Sequence, residues 1–445
     1  MMLSIRSSYR IYLLHACMLL SFFCAAQSDP DSSSLHNASL DQVIQYALKH
    51  QPVLKQSVID EQIVETTLRN KLSAWYPQLN FNYSLQHNFQ VPTNIIGGNP
   101  IRLGVNNTSN AQFTLSQHIF NRDVLLANRS KEDVRTQARQ NTGINKVEVV
   151  TGVSKAFYDV LATLQQIKVA DENIIRIQNS LKVATNQYKA GIADKTDYKR
   201  ATILLNNTKA TRAANQSVLD AKMSYLKNLM GYPDSTALNI SYDSLLLERE
   251  IILDTIQQPD ITKRPEFGFL QTQQKLLNAS LQYEKWAFLP QVNLNGAYNL
   301  NYQNNQFGKL YSNNFPNSFA ALTLSFPIVQ GGKRKANIDQ VNWQIKRNAL
   351  DILQFKQTVN TQYAQALAAY KSSYSNYLAL KENLDLAREV YTIIDLQYKA
   401  GVKTYLEVIT AETDLRTSQI NYYNALYLVL ASKVDVKRAL GQINY

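Results

Sequence analysis

Between residues 78 and 91 apolar and polar side chains alternate: Leu79, Phe81, Tyr83, Leu85, Phe89 and Val91 against Gln78, Asn80, Asn82, Ser84, Gln86, Asn88 and Gln90. A period of two predicts a strand with one apolar and one polar face. A loop rich in Pro, Gly and Asn follows over 92–110, then a second strand near 111–120 carrying Phe113 and Leu115. The same succession returns later in the chain. Phe288-Leu289-Pro290-Gln291-Val292-Asn293-Leu294 echoes Trp75-Tyr76-Pro77-Gln78-Leu79-Asn80-Phe81 and opens a third strand, about 291–302. An Asn-rich loop (303–317) leads to a fourth strand, about 319–329, with Ala320, Leu322, Leu324, Phe326 and Ile328 on one side.

Elsewhere the period is helical. Residues 40–75 read as helix with a break at Pro52, and Lys263-Arg264-Pro265 opens a comparable helix over 265–289. Residues 121–190 and 331–400 are long proline-free segments, roughly 105 Å each if continuous. Val153, Ala156, Val160, Thr163, Ile167, Ala170, Ile174, Ile177, Leu181, Ala184 and Tyr188 step by threes and fours without a slip. The residues 210 positions on, from Tyr363 through Tyr377 and Tyr391 to Tyr398, hold the same register. A seam of this kind predicts helices packed side by side, knobs in holes.

Each long segment ends in the same five residues, Gln187-Tyr188-Lys189-Ala190-Gly191 and Gln397-Tyr398-Lys399-Ala400-Gly401. Gly191 and Gly401 fall where a left-handed residue ends a helix and turns the chain back. Helices over 192–230 and 402–440 return, the first stopped at Gly231-Tyr232-Pro233 and the second at Gly441. The returning helix (roughly 58 Å) and the leading one (roughly 36 Å) nearly match the long helix, which implies one long helix flanked by two short ones end to end. The chain therefore divides into a leader (1–26), a first structural repeat (27–231), a mixed segment at the helix junction (232–264) and a second repeat (265–445).

The leader has Arg6 and Arg10 before an apolar run from Ile11 to Cys24, and Cys24-Ala25-Ala26 offers small residues for cleavage before Gln27. This is the pattern of a signal peptide, too short for a spanning helix of roughly 20 residues. Lipidation of Cys24 is the alternative. Both cysteines, Cys17 and Cys24, lie in this leader, so the rest of the chain is without disulfides or thiolate chemistry. The formal charge of +12 is scattered along helical faces rather than gathered in a stripe, which argues against nucleic acid. His36, His50, His87 and His118 lie far apart and show no ligand spacing, and no Gly-rich phosphate loop occurs. No enzyme, cofactor or metal site is expected.

Strands of about ten residues, apolar on one face and joined by long loops, suit a transmembrane β-barrel, with Trp75, Tyr76, Phe89, Phe120, Phe288 and Phe319 near the membrane interfaces. Four strands cannot close a barrel, and lipid does not tolerate an open edge. Three chains pooling strands give twelve.

With these features in order, the sequence resembles the TolC family of outer-membrane efflux proteins. The resemblance covers nearly the whole chain beyond the leader. It rests on the duplicated order of helix, strand, strand, long helix and return helix, and on the Gln-Tyr-Lys-Ala-Gly tips. It rests also on Ser116-Gln117-His118-Ile119-Phe120, on Ser325-Phe326-Pro327-Ile328-Val329-Gln330-Gly331-Gly332 and on the closing Leu440-Gly441. It implies a mainly α protein with a membrane β-barrel. In that arrangement a homotrimer forms a twelve-stranded outer-membrane barrel continued by a periplasmic α-helical coiled-coil barrel. The implied partners are an inner-membrane transporter, a periplasmic adaptor and outer-membrane lipid.

The resemblance further implies a periplasmic gate at the tips, with Tyr398, Lys403 and Glu407 on the second and Thr196 and Asp197 on the first. Two positions depart from the family pattern. Lys403 replaces an arginine and loses its planar fork, and Thr410 replaces a second acid. The expected function is a passive exit duct of a tripartite efflux or type I secretion system. A non-conducting, periplasm-spanning structural trimer is the alternative, and a secreted surface-binding protein is a third reading.

Overall fold

A computed structural model describes residue 35 and residues 37–191, 194–241 and 244–445. The leader with Cys24, and also His36, lie outside them. Among the described residues the first helices are α1 (Leu40–His50) and α2 (Pro52–Ser73), split at Gln51 because Pro52 supplies no amide for a continuous ladder. Ser39 and Gln42 close a capping box on α1.

Strand β1 (Gln78–His87) is shorter than the alternation suggested. The predicted loop then holds a small hairpin, β2 (Thr93–Ile96) and β3 (Asn99–Arg102), turned at Gly97-Gly98. Strand β4 (Asn107–Phe120) starts four residues before the expected 111, because the polar run Asn107–Asn110 pairs with β1 and β5 as regularly as the apolar residues do. Helices α3 (Arg122–Lys189) and α4 (Lys195–Met230) follow, then a short α5 (Ser244–Glu250). The second half runs α6 (Pro265–Lys285), β5 (Gln291–Asn304), β6 (Asn317–Ser325), α7 (Lys333–Lys399) and α8 (Tyr405–Ala439). Phe326 and Ile328, expected in the fourth strand, lie beyond it, where Pro327 ends the ladder.

The main sheet is antiparallel throughout, in the order β1-β4-β5-β6. Pairing places Leu79, Leu115, Gly296 and Ala320 in one row and Phe81, Phe113, Tyr298 and Ser318 in the next. Phe81 and Phe113 meet ring to ring at 4.9 Å. The opposite face carries Asn80, Thr114 and Ala297, and His118 with Asn293, whose side chains hydrogen-bond at 2.6 Å. Phe319 pairs with Ala297 and so stands on this second face, not with the apolar set. A bulge at His118/Phe120 ends the regular pairing of β4 just before the chain enters α3.

Helix α3 is the spine. Its first half packs on α2 and α6, through Arg135 to Glu65 (2.7 Å) and Gln137 to Gln273 (2.6 Å). Its second half packs on α4 and α8, through Arg212 to Asp171 (3.0 Å) and Gln166 to Asn424 (2.9 Å). Helix α7 likewise pairs first with α6, by Asn348 to Gln274 at 2.9 Å, and then with α8, where Tyr377 and Tyr422 rings lie 5.7 Å apart.

The short helices meet end to end at two glycines. Gly231 (φ 67°) closes α4 against His50 and Gln51, and Gly441 (φ 70°) closes α8 against Lys263 and Arg264. In each case the next amide reaches back to the helix, Tyr232 N to Lys227 O and Gln442 N to Lys437 O, both at 2.8 Å.

The apolar core sits at this level. Phe157 and Leu161 of α3, Leu226 and Met230 of α4, Leu426 and Leu430 of α8 and Ile251 are fully buried together. The 232–264 segment wraps it: Tyr370 donates to Ile251 O at 2.8 Å, and Glu248 accepts from Lys381 at 2.7 Å and from the Tyr422 hydroxyl.

Candidate functional site

The tips are built by helix ends. Helix α3 stops at Lys189 and α7 at Lys399. Each is capped by an alanine whose amide donates four residues back, Ala190 to Asn186 O and Ala400 to Leu396 O, both at 3.0 Å. Gly191 (φ 73°) and Gly401 (φ 77°) take the left-handed turn with open space around them. A side chain at either site meets a backbone cost without a collision.

The restarts differ. On the first tip Asp194 caps α4, its carboxylate accepting from Thr196 N at 2.7 Å. On the second tip Thr404 and Glu407 form a capping box at the start of α8. Glu407 Oε2 accepts from the Thr404 amide (2.9 Å) and hydroxyl (3.0 Å), while Oε1 accepts from Lys403 Nζ at 2.6 Å. That lysine, followed by the Thr404 amide and hydroxyl, holds the Glu407 carboxyl down at about 2. Both oxygens of the one acid expected in the gate are therefore engaged within their own helix start.

Tyr398 crosses from one tip to the other, but not to the residues named from the resemblance. Its hydroxyl donates to Gln187 Oε1 at 2.8 Å. Burial, and then the field of Asp197, push its phenol up, against the pull of the Gln187 bond. Thr196 is exposed, and Thr410 donates its hydroxyl back to Leu406 O at 3.0 Å. Among the described residues, no hydrogen bond or ion pair within the chain joins Thr196 or Asp197 to Tyr398, Lys403 or Glu407.

Beneath these groups lies a small apolar cluster. Ala201 of α4 and Tyr405 and Val408 of α8 are buried, with Leu181, Ile394, Tyr398 and Ile409 packed around them. The Tyr398 and Tyr405 rings lie 5.7 Å apart. Sequence reasoning missed Gln187, Ala201 and Tyr405. Tyr405 carried one signal, since it begins a seven-residue series with Glu412 and Gln419 beside the apolar positions Val408, Ala411 and Leu415, which step by three and four.

Among the described residues no helix is long and apolar enough to cross a membrane, and no group of three or more His, Cys, Asp or Glu could hold a metal ion. The arrangement is a rod of paired helices with a strand sheet at one end and turning tips at the other.

The chain is 22% identical over 441 residues to the outer membrane protein TolC of Escherichia coli K12, covering 93% of this chain and 84% of that protein. It is 21% identical over 417 residues to the outer membrane protein OprJ of Pseudomonas aeruginosa, covering 92% and 85%. Its fold is similar to the crystal structure of a membrane protein from Pseudomonas aeruginosa (TM-score 0.73, 20% identity, 91% and 94% of the two chains). It is similar also to the outer membrane protein VceC of Vibrio cholerae (TM-score 0.70, 13% identity, 90% and 96%). A family model for outer membrane efflux proteins matches residues 43–232 and 261–442, and the chain belongs to that family.

Proposed function

We propose that this outer membrane efflux protein is the passive exit duct of a tripartite system. In this reading an inner-membrane transporter and a periplasmic adaptor load it, and it carries their substrates through the periplasm to the cell exterior. The observation that carries the reading is the sheet: β1 and β6 end it, and one of its faces is apolar yet left uncovered within the chain, with Leu79 at 70% and Leu322 at 69% exposure. Lipid can cover that face, but only a closed ring of strands satisfies the edges. Three copies supply twelve strands, and the α3–α4 and α7–α8 pairs continue the ring as a helical barrel.

Within that trimer we assign two structural repeats, 27–231 and 265–445, with 232–264 at the level where the short helices meet. The tips form the periplasmic gate, with Tyr398, Lys403 and Glu407 on one side and Thr196 and Asp197 on the other. Gly191 and Gly401 supply the turns. The protein is not an enzyme in this reading, and its energy comes from the transporter.

The test is conductance of the purified protein in planar lipid bilayers, with native mass spectrometry for the trimer. A stable trimer with measurable ion current supports the duct. A trimer without current favours a purely structural span of the periplasm.

A further inference from the structure

Two turns into α8 lies Glu412, 1% exposed and facing Arg176 of α3, with Nε 3.7 Å from Oε1. That separation is beyond a hydrogen bond. Glu412 Oε1 and Arg176 Nε and Nη2 are buried without hydrogen-bond partners, as are Asn173 Oδ1 on α3 and Tyr405 Oη and Gln419 Oε1 on α8. Each such atom has given up its water without gaining a partner, which costs most where the group is charged. Parting α3 from α8 returns these atoms to water and removes the cost.

The seam is also where the two hairpins join. Helices α3 and α4 pack as one pair and α7 and α8 as another. Arg416 Nη1 to Thr208 Oγ1 (3.5 Å) and Tyr398 to Gln187 are further side-chain bonds between the pairs near the tips. We propose that Glu412 and Arg176 form a proton-operated latch between the hairpins, in which Glu412 is protonated while α3 and α8 are closed together and releases that proton to water when they part. This deepens the duct reading, and rests on it only for the link from hairpin separation to conduction.

The surroundings support that protonation. Arg176 faces Glu412 from α3, Asp395 and Tyr391 from α7, and Arg416 and Tyr405 from its own helix. From α4, Thr208 engages Arg416, and Arg212 is held by Asp171 of α3. Burial pushes the Glu412 carboxyl up to about 7, opposed by Arg176 and Arg416 and aided by Asp395. An exposed Glu412 reverts to an ordinary value near 4.5. A carboxyl raised in the closed form favours that form fully below about 4.5, and loses the advantage as pH rises through about 7. The gap between the two values corresponds to a change in the open-to-closed ratio on the order of 100-fold or more per chain.

The test uses the full chain reconstituted in lipid, with spin labels on cysteines introduced at Lys182 and Leu406 and labelled chains diluted into unlabelled ones. Bilayer conductance is recorded in parallel. The α3–α8 distance and the conductance should both rise from pH 5 to pH 8. Glu412→Gln should hold both at their acid values, and Arg176→Met should move the midpoint to higher pH while Arg176→Lys restores it. A pH response unchanged in Glu412→Gln, or no response in the parent, overturns the latch. A distance that follows pH while no current flows at any pH supports the latch and overturns the duct.

Discussion

Tyr398 donates its hydroxyl to Gln187 Oε1 across 2.8 Å, so the two copies of Gln-Tyr-Lys-Ala-Gly touch each other. The repeated pentapeptide is thus both a turn and one half of a contact. Gln187 of the first copy accepts from Tyr398 of the second, and no reciprocal Gln397–Tyr188 bond forms among the described residues. Tyr188 instead lies against Tyr198 of its own hairpin, ring centroids 5.2 Å apart.

Removing that hydroxyl loosens the tips. Tyr398→Phe should weaken the link between hairpins by about 1 kcal/mol, the usual net worth of one such bond. The expected readout is a several-fold higher open probability in bilayers. Gln187→Leu should do the same, and the double variant should add little to either single one, since both remove the same bond.

The Glu407 box responds to acid in the opposite sense from Glu412. Its carboxyl is held down at about 2 by Lys403 and Thr404, so its contribution is present above the ordinary 4.5 and is lost as pH falls toward 2. Hydrogen-exchange protection of the Thr404 amide, corrected for intrinsic rates, should fall over that window. Glu407→Gln should show low protection at every pH, and unchanged protection in that variant would remove the carboxylate from the cap.

The glycine junctions separate backbone cost from collision. A Cβ at Gly231 meets His50 O at 2.7 Å, whereas one at Gly191 meets nothing within 4 Å, although both residues have positive φ. Gly191→Ala should cost about 1–2 kcal/mol, the backbone term alone. Gly231→Ala should cost clearly more, seen as a larger drop in thermal midpoint.

The two faces of the sheet should tolerate charge differently. Leu322→Lys on the apolar face should lower the yield of assembled protein in the outer membrane, at a cost of about 2–4 kcal/mol near the bilayer midplane. Asn295→Lys, whose side chain stands on the other face beside Thr323 (3.3 Å), should assemble normally. Equal yields would mean that the apolar face does not meet lipid.

The helices were legible because their punctuation is local. Pro52, Pro265, Gly231 and Gly441 place the breaks, and the seam from Val153 to Ala184 is buried or half-buried as its period implied. The strands were legible only where residue types alternate. Asn107–Asn110 pair through backbone atoms that sequence does not distinguish from a loop, and Phe319 is a large apolar residue in polar register.

The tips were least legible. Thr404-x-x-Glu407 has the pattern of a capping box, and the same glutamate stands at the position that the resemblance marks as a gate acid, so one residue type fits two roles. Contacts between elements, such as Tyr398 with Gln187 or Glu412 with Arg176, depend on how two hairpins are rotated against each other, which no single stretch encodes.

Those two helix-ending glycines also set the mechanics of the molecule. Helices α3 and α7 run unbroken between the sheet and the tips, 68 and 67 residues each, about 100 Å. The lines beside them are jointed, α2 to α4 at Gly231 and α6 to α8 at Gly441. A torque applied at the tips therefore reaches the sheet end through two continuous shafts, while the lines beside them pass it on only across a junction of non-covalent contacts.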